Sequence, residues 1–385
     1  MHHRVYLTPG MFGFARLASF DYFVHVERGL ARRFGDAGQE LEVHVVDVAP
    51  TASVRRRAAR LAEVVDRTAG EAGPLHLLGH STGGLDARLV ASPRVRLPTS
   101  DDPPRWLPRL RSVTTMNAPH YGTPLASFFA TSKGQRALYA LSAFTIMGLS
   151  LGQRPLAVAS MLIAMVGRGD KAVGLQIRLL DRAVEGLLGV LDDARSPEVR
   201  AFLDAIKVDQ GAVLQASPEA MDLMVAGIDD QPGVVYQSTA SMAPALSAGK
   251  WLRTLGSPWT TTSMTLFIAL HGITSRYGKG YPCGAMSETG AAFAGHETEA
   301  TLARMLGAPP DLHANDGIVP IRSQLWGQVV WAGLGDHLDV LGHFRGDEAT
   351  AHHHHDWLTS GSAFGSREFE TLMDAIAAGM LKAAG

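Results

Sequence analysis

Apolar positions in roughly the first 120 residues alternate between two spacings. Arg4–Thr8 is a short β-type run that stops at Pro9-Gly10, and Val26, Leu30 and Phe34 then recur every four residues, a helical stripe. Leu41–Val48 (LEVHVVDV) reads as a buried strand and Val54, Ala58, Leu61 and Val65 as a second helix. Pro74–Gly79 (PLHLLG) is a strand ending on glycine, Leu85–Val90 opens a third helix, and Ser112–Met116 (SVTTM) is a further strand. Strands alternating with helices predict an α/β fold: a mostly parallel sheet with helices on both faces.

The pattern then changes. From about Ser127 to Leu223 no strand signal occurs, and Val173, Ile177, Leu180, Val184, Leu187 and Leu191 follow the spacing of an amphipathic helix. Strand signals return at Gly233–Gln237 (GVVYQ) and Gln328–Ala332 (QVVWA), and a last helix carries Phe369, Leu372, Ile376 and Met380 on one face. The organisation expected is an α/β core in two parts, 1–126 and 226–385, split by a helical cap at 127–225, with a further excursion at about 241–311. The longest apolar region, Ala137–Val166, is interrupted by Gln153, Arg154 and Pro155. Each half falls short of the ~20 residues a spanning helix needs, so it reads as a buried or interfacial helical element. His352–His355 reads as a solvated turn.

Composition narrows the function classes. Thirty-five basic against 37 acidic residues leave a net charge of −2, so there is no electrostatic case for nucleic acid or an anionic membrane. The only cysteine, Cys283, excludes an intramolecular disulfide and a cysteine-rich metal site. Residues 1–8 enter an apolar run without the basic start, long apolar stretch and cleavage site of a signal peptide. The expectation is a cytoplasmic protein or a mature form already processed. With 385 residues the chain has room for one large domain plus an insertion.

The chemistry sits in Leu77-Leu78-Gly79-His80-Ser81-Thr82-Gly83-Gly84-Leu85. Gly-x-Ser-x-Gly alone is weak in a chain with 41 glycines; between a strand and a helix it is specific. There the serine must stand on a tight turn, and glycines two positions either side remove side chains that would collide. A serine hydroxyl needs a base, and the base an orienting acid, in the chain order Ser, Asp or Glu, His. Asp316, in Asn315-Asp316-Gly317, and His337, just past QVVWA, meet that order on loops. His343, and less so His120 and His271, are rivals for the base; Asp336 or Asp311 are the fallback acids. A developing oxyanion needs preformed donors, for which the backbone N–H groups of Met11 and Thr82 are the candidates.

These residues resemble the bacterial true lipases of Gram-negative type, calcium-containing α/β-hydrolases. Their His-Gly-Met/Leu-x-Gly-Phe and following Val-Asp-Tyr are matched by Pro9-Gly10-Met11-Phe12-Gly13-Phe14 and Phe20-Asp21-Tyr22. Their elbow Gly-His-Ser-His-Gly-Gly is matched by Gly79-His80-Ser81-Thr82-Gly83-Gly84, and Gly-x-Pro-His-x-Gly by Asn117-Ala118-Pro119-His120-Tyr121-Gly122. Asn-Asp-Gly-Leu-Val and His-Leu-Asp-Glu-Val are similar to Asn315–Val319 and His337-Leu338-Asp339-Val340. The similarity covers 4–130 and about 312–345, with Pro9 and Thr82 in place of histidines.

The resemblance implies an α/β-hydrolase fold with Ser81, Asp316 and His337 as triad and Met11 and Thr82 as oxyanion donors. It implies hydrolysis of carboxylic esters with no cofactor in the chemistry, and the apolar, methionine-rich insertion points to medium- to long-chain acyl groups. The same machinery with a lipid alcohol acceptor would be an acyltransferase; loss of the chemistry would leave a binding protein. Leu141, Phe144, Ile146, Met147, Leu149, Leu151, Met161, Leu162, Ile163 and Met165 fit a lid over an apolar acyl site, with interfacial contact through the cap, as well as plain core packing. The family calcium site uses the aspartate of His-Leu-Asp, here Asp339. Its partner aspartate has no counterpart, His296 and Glu297 lying near that distance, so one ligand is named of the six or more oxygens calcium takes.

Overall fold

The computed structural model describes residues 1–11, 16–17, 20–99, 104–151, 156, 159–160, 162–163, 196–244, 258–277, 281, 295–346, 356 and 358–385. Six strands, β1 (His2–Thr8), β4 (Glu40–Val45), β5 (Leu75–His80), β6 (Leu110–Met116), β7 (Val235–Met242) and β8 (Gln328–Leu334), form one sheet in the order β4-β1-β5-β6-β7-β8. Every neighbouring pair is parallel. β2 (Arg16–Leu17) and β3 (Phe20–Asp21) make a separate antiparallel pair.

Alternation along the strands feeds two cores. Val5, Leu7, Leu78 and Met116 pack with α1 (Val24–Asp36) and the last helix, α11 (Ser366–Ala384). Tyr6, Leu75, Leu77 and Val113 point the other way, onto α2 (Val54–Thr68) and α3 (Thr82–Ala91). The stripes expected from spacing, Val26-Leu30-Phe34 and Phe369-Leu372-Ile376-Met380, are the buried faces of α1 and α11.

Leu41–Val48 departs from expectation. The strand runs Glu40–Val45 at the sheet edge and its side chains are only half-buried, because β1 is its sole partner. Val46 and Val48 are buried beyond the strand's end, in the α2 core. The strand expected at Gly233–Gln237 begins at Val235 and continues to Met242.

Between β6 and β7 the described residues hold helices and no strand. These are α4 (Pro124–Phe129), α5 (Ser132–Leu151), α6 (Ser196–Val208), α7 (Gly211–Gln215) and α8 (Pro218–Gly227). The Val173–Leu191 stripe, His352–His355, Cys283, Met161 and Met165 lie outside the described residues, as do the side chains of Phe144, Ile146, Met147, Leu149 and Leu151. Two more helices, α9 (Pro258–Thr274) and α10 (His296–Leu306), stand between β7 and β8. Among the described residues no helix is long and apolar enough to cross a membrane.

The strand order locates the site. From β1 the chain moves outward to β4, then α2 carries it back to β5 on β1's other side. Parallel sheets open a crevice at the carboxyl ends of the two strands where the order reverses. Those ends are Pro9–Met11 after β1 and Ser81 after β5.

Candidate active site

Ser81 takes the sharp turn from β5 into α3 with φ 55°, a left-handed conformation that costs a non-glycine residue strain. Its N–H donates to Met116 O at 2.8 Å, which fixes the turn to β6. The flanking glycines are steric necessities. A Cβ on Gly79 would stand 2.1 Å from Gly83 O, and one on Gly83 would stand 2.0 Å from Thr8 O. The elbow is therefore pressed against β1, and Gly10 lies directly beside the Ser81 side chain.

Asp316 and His337 meet although 21 residues apart: His337 Nδ1 donates to Asp316 Oδ2 at 2.7 Å, and His337 N–H donates to Asp316 O at 3.1 Å. The Asp316 carboxylate is fully buried, so its charge has to be met by donors. Oδ1 accepts the N–H groups of Ile318 and Val319 at 2.9 and 2.7 Å. Oδ2 accepts Asn117 Nδ2 at 2.9 Å and Gln324 Nε2 at 3.3 Å besides the imidazole. His337 and Ser81 line one pocket, but no hydrogen bond joins Ser81 Oγ to the imidazole. Such contacts are often long before a substrate binds.

His80 ties the parts together. Burial holds its imidazole well below the usual range, so it is neutral. Its Nδ1 accepts the Tyr22 hydroxyl at 2.7 Å, which assigns the proton to Nε2, and that nitrogen donates to His337 O at 2.9 Å. The same Tyr22 oxygen accepts Gly10 N–H at 3.4 Å. One neutral histidine thus connects the turn after β1, the serine elbow and the backbone of His337.

Met11 reaches the pocket wall after β1, and Thr82 is the first residue of α3, where the helix leaves its N–H groups without intrahelical partners. The turn bearing Met11 is held from behind. The fully buried Arg57 donates to Pro9 O and Pro50 O and forms an ion pair with the equally buried Asp86 of α3 at 2.8 Å. Breaking a buried pair leaves a bare charge. Arg57→Met is expected to cost about 3–5 kcal/mol in denaturant unfolding, and Arg57→Met with Asp86→Leu to recover part of it. A single variant as stable as the wild type would refute this.

The pocket is apolar. Gly10, Met11, Tyr22, Ser81, Ile318, His337 and Leu338 line it together with Leu141 and Thr145 of α5, Leu270 of α9 and Leu358. It encloses about 30 Å³, room for water.

The rival residues are engaged elsewhere. His343 Nε2 donates to Tyr22 O at 3.3 Å, and the ring packs on His25. His120 is buried between Thr115 Oγ1 and Arg88, and His271 packs on Phe267. Asp336 Oδ1 accepts the N–H groups of Leu338 and Asp339, and Asp311 Oδ1 that of His313.

Among the described residues the donor set for a calcium ion at Asp339 does not assemble. Asp339 Oδ2 already accepts Asp336 N–H and the Ser362 hydroxyl, and burial beside Asp336 pushes the carboxyl well above its ordinary range. His296 and Glu297 are exposed at the start of α10. Among the described residues no group of three His, Cys, Asp or Glu side chains is placed to hold a metal ion.

Sequence reasoning named the serine, acid, base and turn donors but gave no role to Tyr22, Arg57, Asp86, Asn117 or Gln324. Tyr22 and Asn117 stood inside quoted motifs. Arg57 and Asp86 carried no local signal, since they pair across 29 residues; Gln324 lies eight residues past Asp316 but in a short 3-10 turn without a motif of its own.

No family model matches the chain. A triacylglycerol lipase of Vibrio cholerae serotype O1 is 34% identical over 124 residues, 32% of this chain and 34% of that protein. The chain therefore matches about a third of the length of this curated relative. Among solved structures, EstA from Clostridium botulinum superposes with TM-score 0.50 at 17% identity, covering 96% of this chain and 87% of that one. Lipase 1 from Pelosinus fermentans gives 0.51 at 14% identity, covering 97% and 98%. At these identities the likeness is one of α/β fold.

Proposed function

We propose that the protein is a serine hydrolase of carboxylic esters with an α/β-hydrolase fold, lipase-like in its substrates. The observation that carries this reading is the Asp316–His337 pair at 2.7 Å, facing, across one apolar pocket, a serine on a strained strand-to-helix turn. The partial similarity to a triacylglycerol lipase supports it, and the fold shared with EstA and lipase 1 agrees with an α/β scaffold for it.

In this mechanism Ser81 Oγ attacks the ester carbonyl carbon while His337 Nε2 takes its proton. The carbonyl π electrons move to oxygen, and the oxyanion rests on the N–H groups of Met11 and Thr82. The intermediate collapses, the carbon–alkoxide bond breaks, and His337 returns the proton to the leaving alcohol. Water, deprotonated by the same imidazole, then attacks the acyl carbon; the bond to Ser81 Oγ breaks, His337 returns the proton to Oγ, and the acid leaves. Asp316 holds Nδ1–H throughout, which leaves Nε2 free to accept.

The apolar lining supports an apolar acyl group, and outward movement of Leu141, Thr145, Leu270 or Leu358 would enlarge the site for a longer one. Each methylene then buried contributes about 0.8 kcal/mol, roughly fourfold in kcat/KM. A series of p-nitrophenyl esters tests this: kcat/KM should climb from acetate through octanoate. Activity confined to acetate would sink the lipase-like reading and leave a small-pocket esterase.

A further inference from the structure

We propose that Asn117 is a positioning residue for the acid of this site: its side-chain amide, set on a left-handed turn at the end of β6, donates into Asp316 Oδ2 and fixes the carboxylate in the plane that receives His337. The inference rests on the ester-hydrolase reading above.

The backbone alone does not call for asparagine. Asn117 follows β6 with φ 50°, a region that glycine enters without strain. Asparagine tolerates the conformation. When it serves only a turn, however, its side chain bonds to backbone a residue or two away. Here the amide reaches across the molecule instead. Nδ2 donates to Asp316 Oδ2 at 2.9 Å, 199 positions along the chain, and to Ser241 Oγ of β7 at 2.6 Å. A carboxylate only accepts, so the nitrogen must be the atom that faces it.

The arrangement also carries a cost that a filler would not. Asn117 is fully buried and its Oδ1 has no hydrogen-bond partner. A buried acceptor left unmet is unfavourable, and burying glycine here would have avoided it. What the asparagine adds is a donor on the oxygen that also receives the imidazole. Gln324 Nε2 supplies another from the far side, and its remaining bonds run to Ser241 O and Val319 O, both at 3.0 Å. The carboxylate is thus gripped at Oδ1 by the loop backbone and at Oδ2 by amides from two further elements. It cannot rotate without breaking several bonds. The other titratable groups facing it are His337, His271 on α9 and Asp336 in the turn before the base; substitution at 117 leaves all three in place.

The test compares wild type, Asn117→Gly and Asn117→Asp. Readouts are the rate of fluorophosphonate labelling at Ser81, kcat and KM on p-nitrophenyl butyrate, the pH profile of kcat/KM, and Tm. Asn117→Gly suits the backbone and removes only the amide. It should keep Tm and KM close to wild type while kcat and labelling fall about 10- to 100-fold. Asn117→Asp keeps the shape but replaces the donor with a like charge, and should move the acid limb of the profile to higher pH by about one unit. If Asn117→Gly fails to fold, the limb of Asn117→Asp decides alone. A wild type that is not labelled overturns the hydrolase reading and this inference with it. A labelled wild type, with Asn117→Gly equally fast and the Asn117→Asp limb unmoved, overturns the inference alone.

Discussion

Ser81→Ala is expected to lower kcat by roughly 10⁴- to 10⁶-fold and to abolish labelling by fluorophosphonate. The loss is large because the proposed residues act as a unit: once the nucleophile is gone, His337 and Asp316 have no proton to move. Combining Ser81→Ala with His337→Ala should therefore lower activity no further. Stability should respond differently. At φ 55° alanine is as strained as serine, so Ser81→Ala should leave Tm nearly unchanged, whereas Ser81→Gly relieves the strain and should raise it. The pairing of lost chemistry with gained stability is what a strained functional turn predicts and a merely structural one does not. Residual labelling in Ser81→Ala at more than a few per cent of the wild-type rate would put the nucleophile elsewhere.

The alternation of strands and helices was legible because both faces of the sheet are covered, so the central strands read as unbroken apolar runs and the helices as stripes. β4 was misread for the complementary reason. As an edge strand it is half-buried, and two of the four valines that made its sequence look central, Val46 and Val48, lie past its end. Ser81, Asp316 and His337 could be named because each sits in a local pattern that its turn requires: glycines around the serine, Asn-Asp-Gly around the acid, a loop after the last strand for the base. The groups that hold them could not. Arg57 and Asp86 look like surface charges on two amphipathic helices until the fold buries them together. Asn117 and Gln324 look like loop amides until β6, β7 and the acid loop converge. Pairing across such separations leaves no periodic trace along one chain.

Asp316→Asn tests how far that convergence fixes the chemistry, and about 10⁴-fold loss in kcat is expected with the geometry nearly intact. The bonds around the side chain dictate the direction. An asparagine oxygen must sit at the Oδ1 position, because Ile318 and Val319 N–H point there. Its NH₂ then occupies the Oδ2 position and faces three donors: His337 Nδ1, Asn117 Nδ2 and Gln324 Nε2. The Gln324 amide, held at both ends by the Ser241 backbone, cannot yield, but the imidazole can, by moving its proton to Nε2 and accepting at Nδ1. That tautomer cannot take the proton of Ser81. Activity should therefore fall through kcat with KM little changed, and Tm should drop modestly as amide opposes amide. Asn117→Asp introduced into the Asp316→Asn background restores a carboxylate to the cluster and should recover part of the stability. Because that carboxylate hangs from β6, it should recover little of the rate. A loss of less than tenfold in Asp316→Asn would mean that the imidazole is oriented by His80 and the backbone rather than by the acid.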